Sequence, residues 1–354
     1  MTVPEVKLRR AAGRGLARHG ARRLRLAALA ACAAVVLIGA ALVPSAAGAA
    51  DGREWQHSLW TAAQLRAERP SVPVVVLLGG SAAREAVVND VSWAADVRRL
   101  GGRPVETYDL GSRLRTFEQD VALVKALPRI PLIVYIGINA GRFASPFTTT
   151  TDTTPPKAKP SWVRHHYRST RIWTPERKQE RVRYWLDHRQ EVFDERYPRH
   201  LADLDRLIAT CVRRGYTTVV LALPRNLVAM GHALDAPVDR YLRDGRRLAR
   251  RHGAGFVDFV PELRLADDEF YDLDHLVGSG REAYQARLAL ETVRLLGPEP
   301  AGAAPAGMES PAATADTVPE TWLGGARTLL PLASAFVLLG VAVAVLRRRT
   351  AIRR

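Results

Sequence analysis

Five short apolar runs, each followed by a stretch with helical spacing, leave this chain few folds to choose from. Val72–Leu78 is β-branched and uninterrupted except by Pro73, and it ends in Gly79-Gly80. A run without polar alternation fits a strand buried on both faces, as in a parallel sheet. Further strands are expected at Pro104–Leu110, Pro131–Ile136, Thr217–Leu223 and Gly255–Val260. Helical patterns fall at Ala82–Val88, around Trp93–Leu100, at Thr116–Leu127, and over 199–214, 237–252 and 279–296. In the fourth of these, Leu201, Leu204, Leu207, Ile208 and Cys211 share one face. Strands alternating with helices predict an α/β fold of three layers around a five-strand, mainly parallel sheet. Active sites in such sheets lie at the carboxyl ends of the strands.

The strand ends carry chemistry. They read Gly79-Gly80-Ser81, Leu110-Gly111-Ser112 and Gly137-Ile138-Asn139, and Tyr271-Asp272-Leu273-Asp274-His275-Leu276 follows late in the domain. Each piece has an ordinary structural explanation. Ser81 suits a helix N-cap, Asn139 a turn, and Gly111 plain punctuation. Together, in this order and each at its expected element, the four blocks resemble the SGNH (GDSL-like) hydrolase superfamily over roughly residues 72–296. The resemblance implies a three-layer flavodoxin-like fold and a metal-free, cofactor-free serine hydrolase. It assigns Ser81 as nucleophile, His275 as its base and Asp272 as the group that orients the imidazole, with Asp274 a competitor for that last role. Ser81, Gly111 and Asn139 would form the oxyanion hole. Where the superfamily usually has Asp before the serine this chain has Gly80, and where it commonly has Asp after the asparagine it has Ala140. Neither replacement removes a member of the triad. Such relaxed motifs resemble the membrane-associated branch that works with cell-surface polysaccharide O-acetylation, which brings in a membrane-bound acyltransferase as an expected partner.

Charge and hydropathy at the two ends place the domain. The net charge of +16 invites a nucleic-acid reading, but residues 1–50 hold eight Lys or Arg against one acid, and 326–354 hold six and none. The middle carries only +3, so a nucleic-acid-binding domain is disfavoured. Leu26–Ala50 is uncharged, follows Arg22, Arg23 and Arg25, and offers Ala47-Gly48-Ala49 as a cleavage site. It reads as a signal peptide or a retained membrane helix. Thr328–Leu346 is a second span, closed by Arg347-Arg348-Arg349. Positive-inside bias puts both termini in the cytoplasm and 51–325 outside. The expected organisation is a basic N-terminus (1–25), an anchor (26–50), a catalytic domain at the cell membrane's outer side (51–296), a Pro/Ala/Gly-rich linker (297–327), a transmembrane helix (328–346) and a basic tail (347–354). Within the domain, 142–198 is a polar insertion too long for an ordinary connection, expected to be a lid, a binding insertion or partly disordered. Its Trp162, Tyr167 and Trp173 suit sugar stacking or packing onto the domain. His165-His166 reads as a solvated basic segment rather than a metal site.

The expected activity is therefore hydrolysis of O-acyl, chiefly O-acetyl, esters on extracytoplasmic glycans or lipids. An O-acyltransferase would use the same residues. Two other classes compete: a catalytically silent binding protein on the same fold, and a nucleotide or phosphate binder using Gly79-Gly80-Ser81 as an anion site. The last lacks the lysine and longer glycine pattern of a phosphate loop.

Overall fold

The computed structural model describes residues 46–145, 152–161 and 166–297. Its sheet has five parallel strands: β1 (Val74–Leu78), β2 (Glu106–Asp109), β3 (Leu132–Ile138), β4 (Thr217–Ala222) and β5 (Gly255–Asp258). Their spatial order is β2-β1-β3-β4-β5. Side-chain alternation divides β1 between two cores. Val74, Val76 and Leu78 join one, whereas Val75 and Leu77 join the other. All five of these residues are fully buried, as a strand covered on both faces requires. The chain runs from β1 outward to β2 and then returns to the other side of β1 for β3. The topological switch therefore lies between β1 and β3, where a crevice opens at the strands' carboxyl ends.

Helices cover both faces. In chain order they are α1 (Ala46–Glu68), α2 (Ser81–Arg84), α3 (Asp90–Arg99), α4 (Phe117–Ala126), α5 (Ala140–Phe143), α6 (Pro175–His188), α7 (Gln190–Arg213), α8 (Leu227–Met230), α9 (Asp235–Arg251), α10 (Val260–Leu263) and α11 (Gly278–Leu296). Residues of α1, α4, α7 and α9 build the core on one face, and those of α3 and α11 the core on the other. Local chemistry sets several helix starts. Asn89 accepts from the Ser92 N–H to begin α3, and Thr116 and Gln119 form a reciprocal capping box on α4.

Three stretches differ from the sequence expectation. No element is expected over 51–71, yet α1 buries Trp55, Leu59, Ala62 and Leu65 along one side. The helix expected over Ala82–Val88 is only the single turn α2. Among the described residues of the insertion 142–198 are α6 and the first part of α7, up to Pro198. An internal proline removes one helical N–H and crowds the preceding turn, which hides a helix from pattern reading. Cys211 is fully buried on α7, and burial pushes its thiol pKa up.

The segments expected at 1–25, 328–346 and 347–354, the linker 297–327 apart from its first residue, and all but the last five residues of 26–50 lie outside the described residues. Among those described, no helix is long and apolar enough to cross a membrane.

Candidate active site

The turn after β1 presents Ser81 as the first residue of α2. Gly79 allows this tight exit, because a Cβ there would sit 2.6 Å from the Ala83 side chain. The two residues after Ala83 brace the turn from beneath. Arg84 pairs with Glu54 at 2.6 Å and with Glu85 at 3.0 Å. Glu85, fully buried, also accepts from Arg281 at 2.7 Å and from the Tyr167 N–H, and meets His166 Nδ1 at 3.1 Å. Burial alone would raise its carboxyl pKa, but His166, Arg84 and Arg281 outweigh it and bring the value down to about 2. Glu85 is thus an ionised anchor for the turn that carries Ser81.

The opposite wall is the short hairpin between Phe270 and Leu276, closed by an antiparallel bridge and by the Tyr271 N–H donating to the His275 carbonyl at 2.8 Å. Asn226, just past β4, ties it to the sheet. Its backbone N–H donates to Leu273 O at 2.8 Å, and its amide donates to Asp267 Oδ1 and Asp272 O. Lys178 of α6, fully buried, also binds Asp267, through its carbonyl at 2.6 Å and its carboxylate at 3.0 Å. The insertion is therefore pinned to the hairpin. Tyr167 completes the seat by stacking on Tyr271 at 4.0 Å and meeting the His275 ring edge-on at 5.1 Å. Trp173 packs on Tyr271 as well. Tyr167 and Trp173 thus pack the insertion onto the domain, and His166 is an anchor instead of a solvated residue. Trp162 and His165 lie outside the described residues.

Between these walls, Ser81 Oγ is 2.8 Å from His275 Nε2, and His275 Nδ1 is 2.8 and 3.0 Å from the two oxygens of Asp272. This network assigns the Nδ1–H tautomer, donating to Asp272 and leaving Nε2 to accept the serine proton. Asp272 Oδ1 also accepts the backbone N–H groups of Asp274 and His275. Burial would raise the Asp272 pKa, but the His275 charge and these hydrogen bonds outweigh it and hold the carboxyl below its ordinary range. For His275, burial would lower the pKa, and Asp272 and Asp274 reverse that, lifting it well above 6.5.

Asp274, the competitor for the orienting role, also approaches the ring, and in addition binds Asn139, a contact the sequence does not disclose. Its Oδ1 stands 3.0 Å from His275 Nδ1, and its Oδ2 accepts from Asn139 Nδ2 at 2.6 Å. The hairpin folds both carboxylates toward one ring nitrogen. Asn139 Oδ1 meanwhile caps α5 by accepting the Arg142 N–H. Asn139 thus lines the cleft with one amide hydrogen committed to Asp274.

Gly111 requires correction. It does not line the cleft, and its N–H donates to Asp109 Oδ1 at 2.8 Å. It is glycine for packing, because a Cβ would lie 2.6 Å from the Arg84 nitrogen. Its expected oxyanion contact is not made in this arrangement.

The cleft has a volume of about 220 Å³ and holds Ser81, Asn139, Asp272 and His275 together with arginines and apolar side chains. Asp272, Asp274 and His275 could present one ligand atom each to a metal ion, all within 4.8 Å of one another. His275 Nδ1 has no lone pair for a metal while it donates to Asp272. The donor set fits a relay better than a cation.

No family model matches this chain, and no curated protein matches it. Several solved structures are similar at low identity. A lipase/acylhydrolase from Enterococcus faecalis is 13% identical, with 65% of this chain and 100% of that one covered at a TM-score of 0.38. The acetylxylan esterase Axe2 from Geobacillus stearothermophilus is 14% identical over 64% and 94% of the two chains, with a TM-score of 0.41. TesA is 14% identical over 63% and 97%, with a TM-score of 0.36.

Proposed function

We propose that this chain is a serine esterase of the SGNH type that cleaves O-acyl, chiefly O-acetyl, esters through an acyl-Ser81 intermediate. The observation that carries this reading is the unbroken contact from Ser81 Oγ through the His275 ring to Asp272. A serine hydroxyl is a weak nucleophile until an adjacent base takes its proton. Here His275 Nε2 takes it as Oγ attacks the ester carbonyl carbon, and Asp272 stabilises the resulting imidazolium. The ester C–O bond then breaks, and His275 returns the proton to the departing alcohol oxygen. In the second half, water gives a proton to His275 and its oxygen attacks the acyl carbon, releasing the acid and restoring Ser81. A sugar hydroxyl in place of that water would make the same residues an O-acyltransferase.

The oxyanion is assigned to the Ser81 N–H and the Asn139 amide. The first N–H groups of a helix have no intrahelical acceptor, so that of Ser81 is available for a ligand. The arginine-flanked apolar runs at 26–50 and 328–346 support a membrane-anchored enzyme with its domain outside and its substrates on glycans or lipids there.

Hydrolysis of p-nitrophenyl acetate by the full-length chain tests the reading. The wild type is expected to turn over, with Ser81→Ala and His275→Ala at background. Equal rates in all three would remove Ser81 and His275 from the chemistry.

A further inference from the structure

Five arginines line the cleft, an unusual density of positive charge beside an ester-cleaving serine. Three of them have carboxylates of their own. Arg115 and Arg142 share Asp120, and Arg225 forms a two-pronged pair with Asp258 at 3.0 and 2.7 Å. The other two are Arg181, on α6, and Arg189, the residue that ends it. They stand eight residues apart, so a helix of 3.6 residues per turn puts them on one side, with Trp185 midway between. All three line the cleft.

Neither Arg181 nor Arg189 meets a carboxylate among the described residues. Arg189 is half-buried and gives one N–H to the Ala144 carbonyl at 2.7 Å. Burial lowers its pKa and outweighs the opposing influence of Tyr184, and the charge of Arg181 acts with burial. The cleft's own carboxylates are spoken for, since Asp272 and Asp274 are held by His275 and Asn139. Arg181 is exposed, with its guanidinium 4.8 Å over the Tyr184 ring, whereas Arg189 is partly desolvated without a counter-ion, which is costly. A planar fork of donors on each suits an oxyanion.

We infer that Arg181 and Arg189 form an anion subsite, so that the ester substrate carries a carboxylate or phosphate on its alcohol part. The inference rests on the esterase reading for its substrate but not for its charge. The unneutralised pair would bind such an anion whether or not Ser81 attacks.

The test compares charged and neutral esters on the full-length chain. One arm uses an O-acetylated methyl galacturonoside against the matching galactoside, and the other acetylglycerol phosphate against acetylglycerol. In at least one arm the wild type is expected to prefer the anionic ester at least tenfold in kcat/KM, and the arm that shows it identifies carboxylate or phosphate. The preference should fall at least tenfold in the Arg181→Gln/Arg189→Gln double variant, mainly through KM. Lysine at both positions should restore part of it, which a folding defect would not permit. A wild-type ratio near one in both arms, or a ratio unchanged in the double variant, overturns the inference. p-Nitrophenyl acetate turnover reports separately on the esterase reading. Should no ester be cleaved, calorimetric binding of methyl galacturonoside and glycerol phosphate to wild type and double variant still decides. Binding that weakens with salt and is lost in the double variant sustains the subsite, and no binding to the wild type removes it.

Discussion

The two halves of the active site are built to different degrees of completion. The proton-relay half is fully made: Ser81, His275 and Asp272 touch in sequence, and Asn226, Lys178 and Tyr167 seat the hairpin that carries two of them. In the oxyanion half, Gly111 spends its N–H on Asp109, and Asn139 shares its amide with Asp274. Charge development explains why the two differ. The His–Asp pair works in every protonation state of the cycle, whereas an oxyanion donor is needed only once the tetrahedral intermediate forms. A donor that already has a carboxylate partner must loosen or share that bond at the moment of reaction, which lowers its catalytic value.

That contrast can be broken or sharpened by substitution. The largest effect is expected in the finished half. Asp272→Asn should lower kcat by about 10⁴-fold, because the amide favours the wrong imidazole tautomer. Steady-state kinetics with unchanged thermal melting would establish that the loss is catalytic. Asn139→Ala should cost less, at most the 10²–10³-fold typical of a single oxyanion donor. A loss equal to that of Asp272→Asn would mean that the Asn139 amide leaves Asp274 completely in the transition state.

The third prediction concerns the residue that joins the halves. His275 must be neutral to accept the serine proton, and its pKa is lifted well above 6.5, so kcat/KM should rise with pH along a limb centred above that value. Asp274→Asn removes one of the two carboxylates responsible, and the limb should move to lower pH in a pH–rate profile. The same elevation has a sign for stability. The His275–Asp272 attraction is fully present below the unfolded histidine pKa and is lost as pH rises through the folded one. The smallest catalytic effect belongs to Gly111→Ala. As a packing glycine against the Arg84 backbone, it should show chiefly as lost stability, about 1–3 kcal/mol in denaturant unfolding.

Legibility in the sequence followed the same divide. Ser81 stands at a strand exit that composition marks plainly, and Asp272 and His275 lie within one hairpin, so short-range spacing is enough to pair them. The strands were legible because burial on both faces leaves uninterrupted apolar runs. Asp274 reaching Asn139 was not, since that contact spans 135 residues and depends on how two loops meet. Gly111 looks alike in sequence whether its N–H faces a ligand or the Asp109 carboxylate. The arginines of α6 were hidden because that helix is polar around most of its circumference, burying only Lys178, Val182 and Trp185, with Pro198 obscuring the next helix. α1 carries a helical signal that the strand-first reading passes over, its buried Trp55, Leu59, Ala62 and Leu65 recurring every three or four residues.

The central claim is that Ser81 is a nucleophile activated by His275. Its most direct test is to treat the full-length chain with a fluorophosphonate and locate the adduct by peptide mass spectrometry. The account predicts one adduct, on Ser81, forming at least 10²-fold more slowly in His275→Ala and absent from Ser81→Ala. A wild-type chain that stays unlabelled, or that is labelled equally well without His275, would contradict it.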